Sequence, residues 1–179
     1  MPRYVAFLRG INLGRRRIAM SELREHFEAL DFAKVGTFIA SGNVIFETRT
    51  VQTDKLEQRI EKHLAAKLGY EVHTFIRRDA EVIAATESTA FPEGTPEGGG
   101  LYVTFLKQPL DASTVKKLIA CRSEIDEFQV NGREIYWLCR TKSSDSKIWT
   151  SPEVKALKLS KGTMRNLTSL RKLVAKSLE

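Results

Sequence analysis

Two short runs in this chain combine residue types that hold anions or turn the backbone sharply. The first is Arg9-Gly10-Ile11-Asn12-Leu13-Gly14, followed directly by Arg15, Arg16 and Arg17. Where a strand gives way to a loop before a helix, backbone N–H groups can face an anion, and neighbouring guanidinium groups add charge. The glycine spacing, Gly10 and Gly14, is neither a dinucleotide fingerprint nor a Walker A loop. A loop merely shaped by glycine, with Arg9 in a structural ion pair and the arginine run solvated, is an equally good reading. The second run is Ser41-Gly42-Asn43. Serine and asparagine favour turns because they hydrogen-bond their own backbone. No histidine with a partnering carboxylate stands near Ser41, so a hairpin turn is preferred to a nucleophile.

The other reactive residue types give no constellation. His26, His63 and His73 fall on or beside separate elements and form no HxH, HExxH or histidine–carboxylate pair. Cys121 and Cys139 have no neighbouring Cys or His to complete a zinc site, and two cysteines suit a reducing compartment. The expectation is no metal, no cofactor, no named catalytic residue, and an enzymatic role left open. The N-terminal apolar stretch is too short for a secretory core and is interrupted by Arg9, and no apolar run reaches the roughly eighteen residues of a membrane span. A cytoplasmic protein with no membrane contact is expected.

Net charge is +7 and unevenly distributed. Residues 1–24 hold six arginines against Glu22, residues 140–179 hold ten basic groups against three acidic ones, and the stretch between them is net acidic. In the C-terminal part these are Lys142, Lys147, Lys155, Lys158, Lys161, Arg165, Arg171, Lys172 and Lys176 together with Arg140. Lys155 and Lys158, and Lys172 and Lys176, share helix faces, where like charges repel and an anion would relieve the cost. Plain solubility is the alternative.

The elements that must position these residues read as follows. Tyr4–Ile11 is a strand, Ser21 caps a helix carrying Leu23, Phe27 and Leu30, and residues 35–40 and 44–46 form a hairpin around Gly42. Asp54 and Glu57 have the spacing of a capping box before the stripe Leu56, Ile60, Leu64 and Leu68, which ends at Gly69; residues 72–76 are a fourth strand. A short connecting helix over 79–89 and a Gly/Pro-rich linker over 91–100 follow. Then the order returns: strand 101–106, helix 113–122, a hairpin at Asn131-Gly132, a helix opening at Ser151-Pro152, a strand over 163–166 and a terminal helix. Tyr4-Val5-Ala6-Phe7-Leu8-Arg9 matches Tyr102-Val103-Thr104-Phe105-Leu106-Lys107 in kind at five of six positions. Together these predict an α+β chain of two ferredoxin-like βαββαβ units arising by internal duplication: 1–78, then 79–100 as connecting helix and linker, then 101–179 with the C-terminal helix. Because YVAFL is apolar on both faces, the open face of each sheet is expected to be covered, by the sister unit.

At LRGIN and SGNVIF, and again at Ser146-Lys147, Thr163-Met164-Arg165-Asn166 and Lys172-Leu173, the sequence resembles the uncharacterised bacterial proteins grouped as domain of unknown function 1697. The resemblance implies a pair of ferredoxin-like units and no established activity. The chain departs from it at Gly14-Arg15, where Gly-Gly is usual, and at Leu167, where an aromatic is usual. The polar residues of the likeness fall near loop or strand ends, where sites usually lie. The candidate ligand-binding set is therefore Arg9, Gly10, Asn12, Ser41, Gly42, Asn43, Lys147, Arg165 and Asn166.

Three functions fit. The preferred one is binding of an anionic partner, a nucleic acid or a phosphorylated ligand, through the basic N- and C-terminal segments. The sheet lacks the aromatic pattern of sequence-specific RNA readers, so phosphate contacts would dominate. The alternatives are an enzyme acting on a small anionic metabolite held between the units, and a structural or partner-binding module of undetermined oligomeric state.

Overall fold

The computed structural model describes residues 1–179 and divides into two compact units, residues 1–83 with 173–179, and residues 84–172. No helix is long and apolar enough to cross a membrane, and no group of three or more His, Cys, Asp or Glu side chains is placed to hold a metal.

The first unit runs β1 (Arg3–Arg9), α1 (Met20–Glu28), β2 (Ala33–Phe38), β3 (Asn43–Glu47), α2 (Thr53–Leu68) and β4 (His73–Arg78). Its antiparallel sheet has the order β2-β3-β1-β4, the ferredoxin-like arrangement. β1 ends at Arg9, two residues before Ile11, because Gly10 takes φ +79° and turns the chain out of the sheet. The pleat sends Tyr4, Ala6 and Leu8 toward the helices, where they join Val44, Phe46 and Ile76 and the buried stripes of α1 (Leu23, Phe27) and α2 (Leu56, Ile60, Leu64). Tyr4 stacks on Phe46 with ring centroids 5.8 Å apart, and Phe32 stacks on the same ring at 4.5 Å. Each such side chain, fully buried, contributes about 1.5–3 kcal/mol. The opposite face of the sheet, with Val5, Phe7, Ile45, Phe75 and Arg77, is buried as well.

β4 is an edge strand, and its outward N–H groups would be left without partners. Three carboxylates take them: Glu61 accepts from Thr74 N–H (2.9 Å), Glu57 from Ile76 N–H (3.0 Å) and Glu81 from Arg78 N–H (2.7 Å). Glu57 and Glu61 are one turn apart on α2, and Thr74 and Ile76 are two apart on β4, so the helical and strand periods meet. This corrects the expected capping box. α2 begins at Thr53 after Gln52 with no side-chain cap, and Glu57 is buried against β4. Ser21 likewise does not cap α1, which starts one residue earlier, with Leu23 N–H donating to the carbonyl of Ala19. Gly69 ends α2 at φ +79° as its position predicts. At the other edge, β2 is broken by a register shift at Lys34, whose φ is +49°; shifts and lysines of this kind discourage pairing with another chain.

The second unit begins within α3 (Asp79–Thr86) and continues through β5 (Gly100–Phe105), α4 (Ala112–Ala120), β6 (Asp126–Asn131), β7 (Glu134–Cys139), α5 (Pro152–Ala156), β8 (Thr163–Asn166) and the start of α6 (Leu167–Ser177). Its sheet order, β6-β7-β5-β8, repeats that of the first. Asp111 caps α4 by accepting from Thr114 N–H, and that hydrogen bond holds its carboxyl below the usual carboxylate range. Ser151 caps α5 ahead of Pro152, as the sequence predicts. The core is aromatic: Trp137 packs against Tyr102 and, edge-on, against Trp149, which meets Phe128. Buried Asp126 accepts from Trp137 Nε1 (2.8 Å), Ser146 Oγ (2.8 Å) and Ser123 Oγ (3.1 Å). The last turn of α6 belongs to the first unit, where Arg3 donates to the carbonyls of Ser177 and Leu178.

The likeness of YVAFL and YVTFL extends to a residue of the fourth strands. Arg77 lies opposite Val5, and Arg165 lies opposite Val103. Both arginines are buried, and each donates from Nη1 to the carbonyl of the residue before it at 2.9 Å.

Two measurements check this packing. Replacing Glu57 by Ala leaves the buried Ile76 N–H unsatisfied and should cost about 1–3 kcal/mol in urea unfolding, while Glu57→Gln, which keeps an acceptor, should cost less. His63 of α2 meets His26 of α1 edge-on at 5.4 Å, and both Nε2 atoms are buried without hydrogen-bond partners. Burial first, then His26, Lys67 and Arg59, holds the His63 imidazole below its ordinary value, and Glu22 lies 3.8 Å from His26 Nε2. The unfolded chain therefore takes up a proton more readily than the folded one. Stability due to His63 is full above about pH 6.5 and is lost as the pH falls below it, a slope that His63→Asn should flatten.

Candidate functional site

The loop after β1 alternates the sign of φ: Gly10 (+79°), Asn12 (+54°) and Gly14 (+57°) are left-handed, whereas Ile11 and Leu13 are not. Glycine adopts this region freely and asparagine more readily than other residues. Alternation of this kind turns successive N–H groups toward one side, the backbone pattern of an anion-binding concavity. Asn12 secures the loop. Its Oδ1 accepts from Ile18 N–H (2.8 Å), its Nδ2 donates to the carbonyl of Ala40 (3.1 Å), and its own carbonyl accepts from Arg17 Nη1 (2.7 Å).

The hairpin turn is built against the same place. Leu8 N–H donates to the Gly42 carbonyl at 2.8 Å. Gly42 has φ +82°, and a Cβ there would stand 2.5 Å from Ile11 Cγ2. Asn43 is buried and donates from Nδ2 to the Phe38 carbonyl and to Ser41 Oγ, both at 2.9 Å. Thus Arg9, Gly10, Asn12, Ser41, Gly42 and Asn43 come together at one end of the first sheet. Within that group Gly42 and Asn43 shape the turn, while Arg9 and Ser41 are exposed.

Around the loop stand Arg15, Arg16 and Arg17, all exposed, with no acidic residue between positions 9 and 17. Arg16 lies over the Tyr70 ring, 4.5 Å from its centroid, and Arg15 has no partner in the chain. Two features here have no plain signal in the sequence. Leu13 is 64% exposed and Ile39 50% exposed, and Ile39 holds φ +51°, strained for a β-branched residue.

Lys147, Arg165 and Asn166 belong to the second unit. Lys147 is exposed beside Ser146, which Asp126 holds. Arg165 is buried, donating to Thr163 Oγ1 (2.7 Å) and the Met164 carbonyl, and burial lowers its pKa to about 10. Asn166 Oδ1 accepts from Thr168 N–H at the start of α6. Lys142, Lys147, Lys155, Lys158 and Lys161 are all exposed and have no ion-pair partner, so this unit carries its own basic surface. Sequence reading passed over Arg77; its one signal is its place two residues after Phe75, on the same face of the strand.

The family described as protein of unknown function (DUF1697) matches residues 1–136. The chain belongs to this family. The family match takes in the loop after β1 and the Ser41–Asn43 turn and ends before Lys147. No curated protein matches the chain. A solved structure of a conserved bacterial protein from Streptococcus pneumoniae is similar over 100% of this chain and 99% of that one, with a TM-score of 0.76 at 20% identity. At that identity the likeness is one of fold.

Asn12 is the member of this group whose loss should be felt most. Asn12→Ala removes both side-chain bonds, orphans the Ile18 N–H and disfavours the left-handed backbone, for a cost of about 1–3 kcal/mol. Urea unfolding and the rate of proteolysis between residues 10 and 19 would show it; an unchanged midpoint and an unchanged cleavage rate would contradict the role.

Proposed function

We propose that the protein binds a nucleic acid, receiving backbone phosphates on the loop Arg9–Arg17. The observation that carries this reading is the loop itself: alternating left-handed residues, four arginines and no carboxylate in nine positions. Backbone N–H groups arranged in this way suit a phosphate, and guanidinium groups add bidentate, charge-assisted hydrogen bonds. The unpaired lysines from Lys142 to Lys161 support it, since a second basic surface is of use to a long polyanion and of little use to a single small one. Phosphate contacts of this kind position a nucleic acid without reading its sequence. Internal duplication would account for the common strand order, with the phosphate loop kept only where the first strand leads into Arg-Gly-Ile-Asn and not where the second leads into Lys107-Gln108-Pro109.

Fluorescence anisotropy of labelled DNA and RNA against salt tests the reading. Affinity should fall linearly on a log–log plot, and Arg15→Gln should reduce the slope by about one. Inorganic pyrophosphate should compete only weakly. Absence of binding at low salt would refute the proposal, and tight pyrophosphate binding without nucleic-acid binding would reassign the loop to a small phosphorylated ligand.

A further inference from the structure

The arginine loop has an apolar tip. Leu13 and Ile39 are two of the four large hydrophobic residues the chain leaves well exposed, at 64% and 50%. They sit on different loops, yet the hydrogen bond from Asn12 Nδ2 to the Ala40 carbonyl ties together the residues next to them, and Leu13 is further held by Arg16 N–H on its carbonyl (3.0 Å). Ile39 keeps a left-handed backbone that a β-branched residue disfavours and glycine would adopt without strain. A fold has no use for that combination: the side chain buries little, and its backbone is strained. Strain of this sort is retained where the surroundings hold it for a purpose.

We infer that Leu13 and Ile39 form a wedge that enters between bases of the bound nucleic acid while the flanking arginines hold its phosphates. The inference rests on the phosphate-binding reading above. Aliphatic side chains flanked by arginine are the composition of such wedges, which unstack a base step. Two aliphatic side chains are too few to anchor a protein stably in a bilayer, whereas a single base step needs no more.

The test uses the full-length protein and a short DNA duplex with 2-aminopurine at a pyrimidine–purine step. Wild type should raise the 2-aminopurine fluorescence as the base unstacks. Leu13→Ser and Ile39→Gly should each abolish that rise and weaken binding roughly tenfold, the scale of losing one buried aliphatic contact, with the salt slope unchanged. Ile39→Gly should not lower the thermal midpoint, which separates lost contact from lost fold. If wild type binds with the expected salt slope but fluorescence stays flat and both variants bind like wild type, the wedge is refuted and the phosphate reading stands. If wild type does not bind DNA the wedge falls, and the phosphate reading falls with it if RNA is not bound either. Binding of wild type, but not of the variants, to vesicles of anionic phospholipid in the absence of DNA binding would overturn the wedge and give the tip to a lipid surface.

Discussion

A sheet buried on both faces makes an unsatisfied polar group in its strands costly, and this constraint organises both units. In the first, Tyr4, Ala6 and Leu8 fill one side of β1 while Val5 and Phe7 are buried on the other. Most polar or charged residues caught in such a sheet are given work, the Thr104 hydroxyl of β5 being left without a partner. Asn43 closes the hairpin, Glu57 accepts from the edge strand, and Arg77 and Arg165 donate to the carbonyls beside them. Water cannot serve these groups, and leaving one unpaired costs as much as several good contacts return. Function is thereby pushed to the ends of the sheets, where backbone and side chains meet solvent.

At the C-terminal end of β1 that release takes a definite form. Glycines and an asparagine supply the backbone angles, Asn12 joins the loop to the hairpin turn, and the exposed Arg15, Arg16 and Arg17, none of them ion-paired, stand around it. A structural role accounts for Gly42 and Asn43. It does not account for Arg15 or for an exposed, strained isoleucine. The belonging of the chain to a family without assigned activity makes this distinction the useful one, because it separates residues that build the turn from residues that the turn presents.

Much of the fold was legible because its signals are local. Period-two apolar runs, the Asn131-Gly132 turn, the α2 stripe ending at Gly69 and the Ser151-Pro152 start all act within a few residues. What misled were local rules overruled by distant partners. Asp54 and Glu57 have capping-box spacing, yet Glu57 is claimed by a strand nineteen residues on. Ser21 is a good cap residue, but the helix starts at Met20, two residues too early to use it. The gathering of Arg9, Asn12 and Ser41–Asn43 at one sheet end was foreseeable from the topology of a βαββαβ unit. The burial of Arg165 was not, since a charged residue in a strand reads as exposed until the second face of the sheet is known to be covered.

The most direct measurement is a titration of isotope-labelled protein with a short oligonucleotide, followed through backbone amide resonances. The account predicts that the largest shifts fall on the amides of residues 10–17, with smaller ones at Ser41 and Gly42, and that they diminish together as salt is raised. Shifts confined to the lysine-rich stretch 142–161, or none at all at low salt, would contradict it.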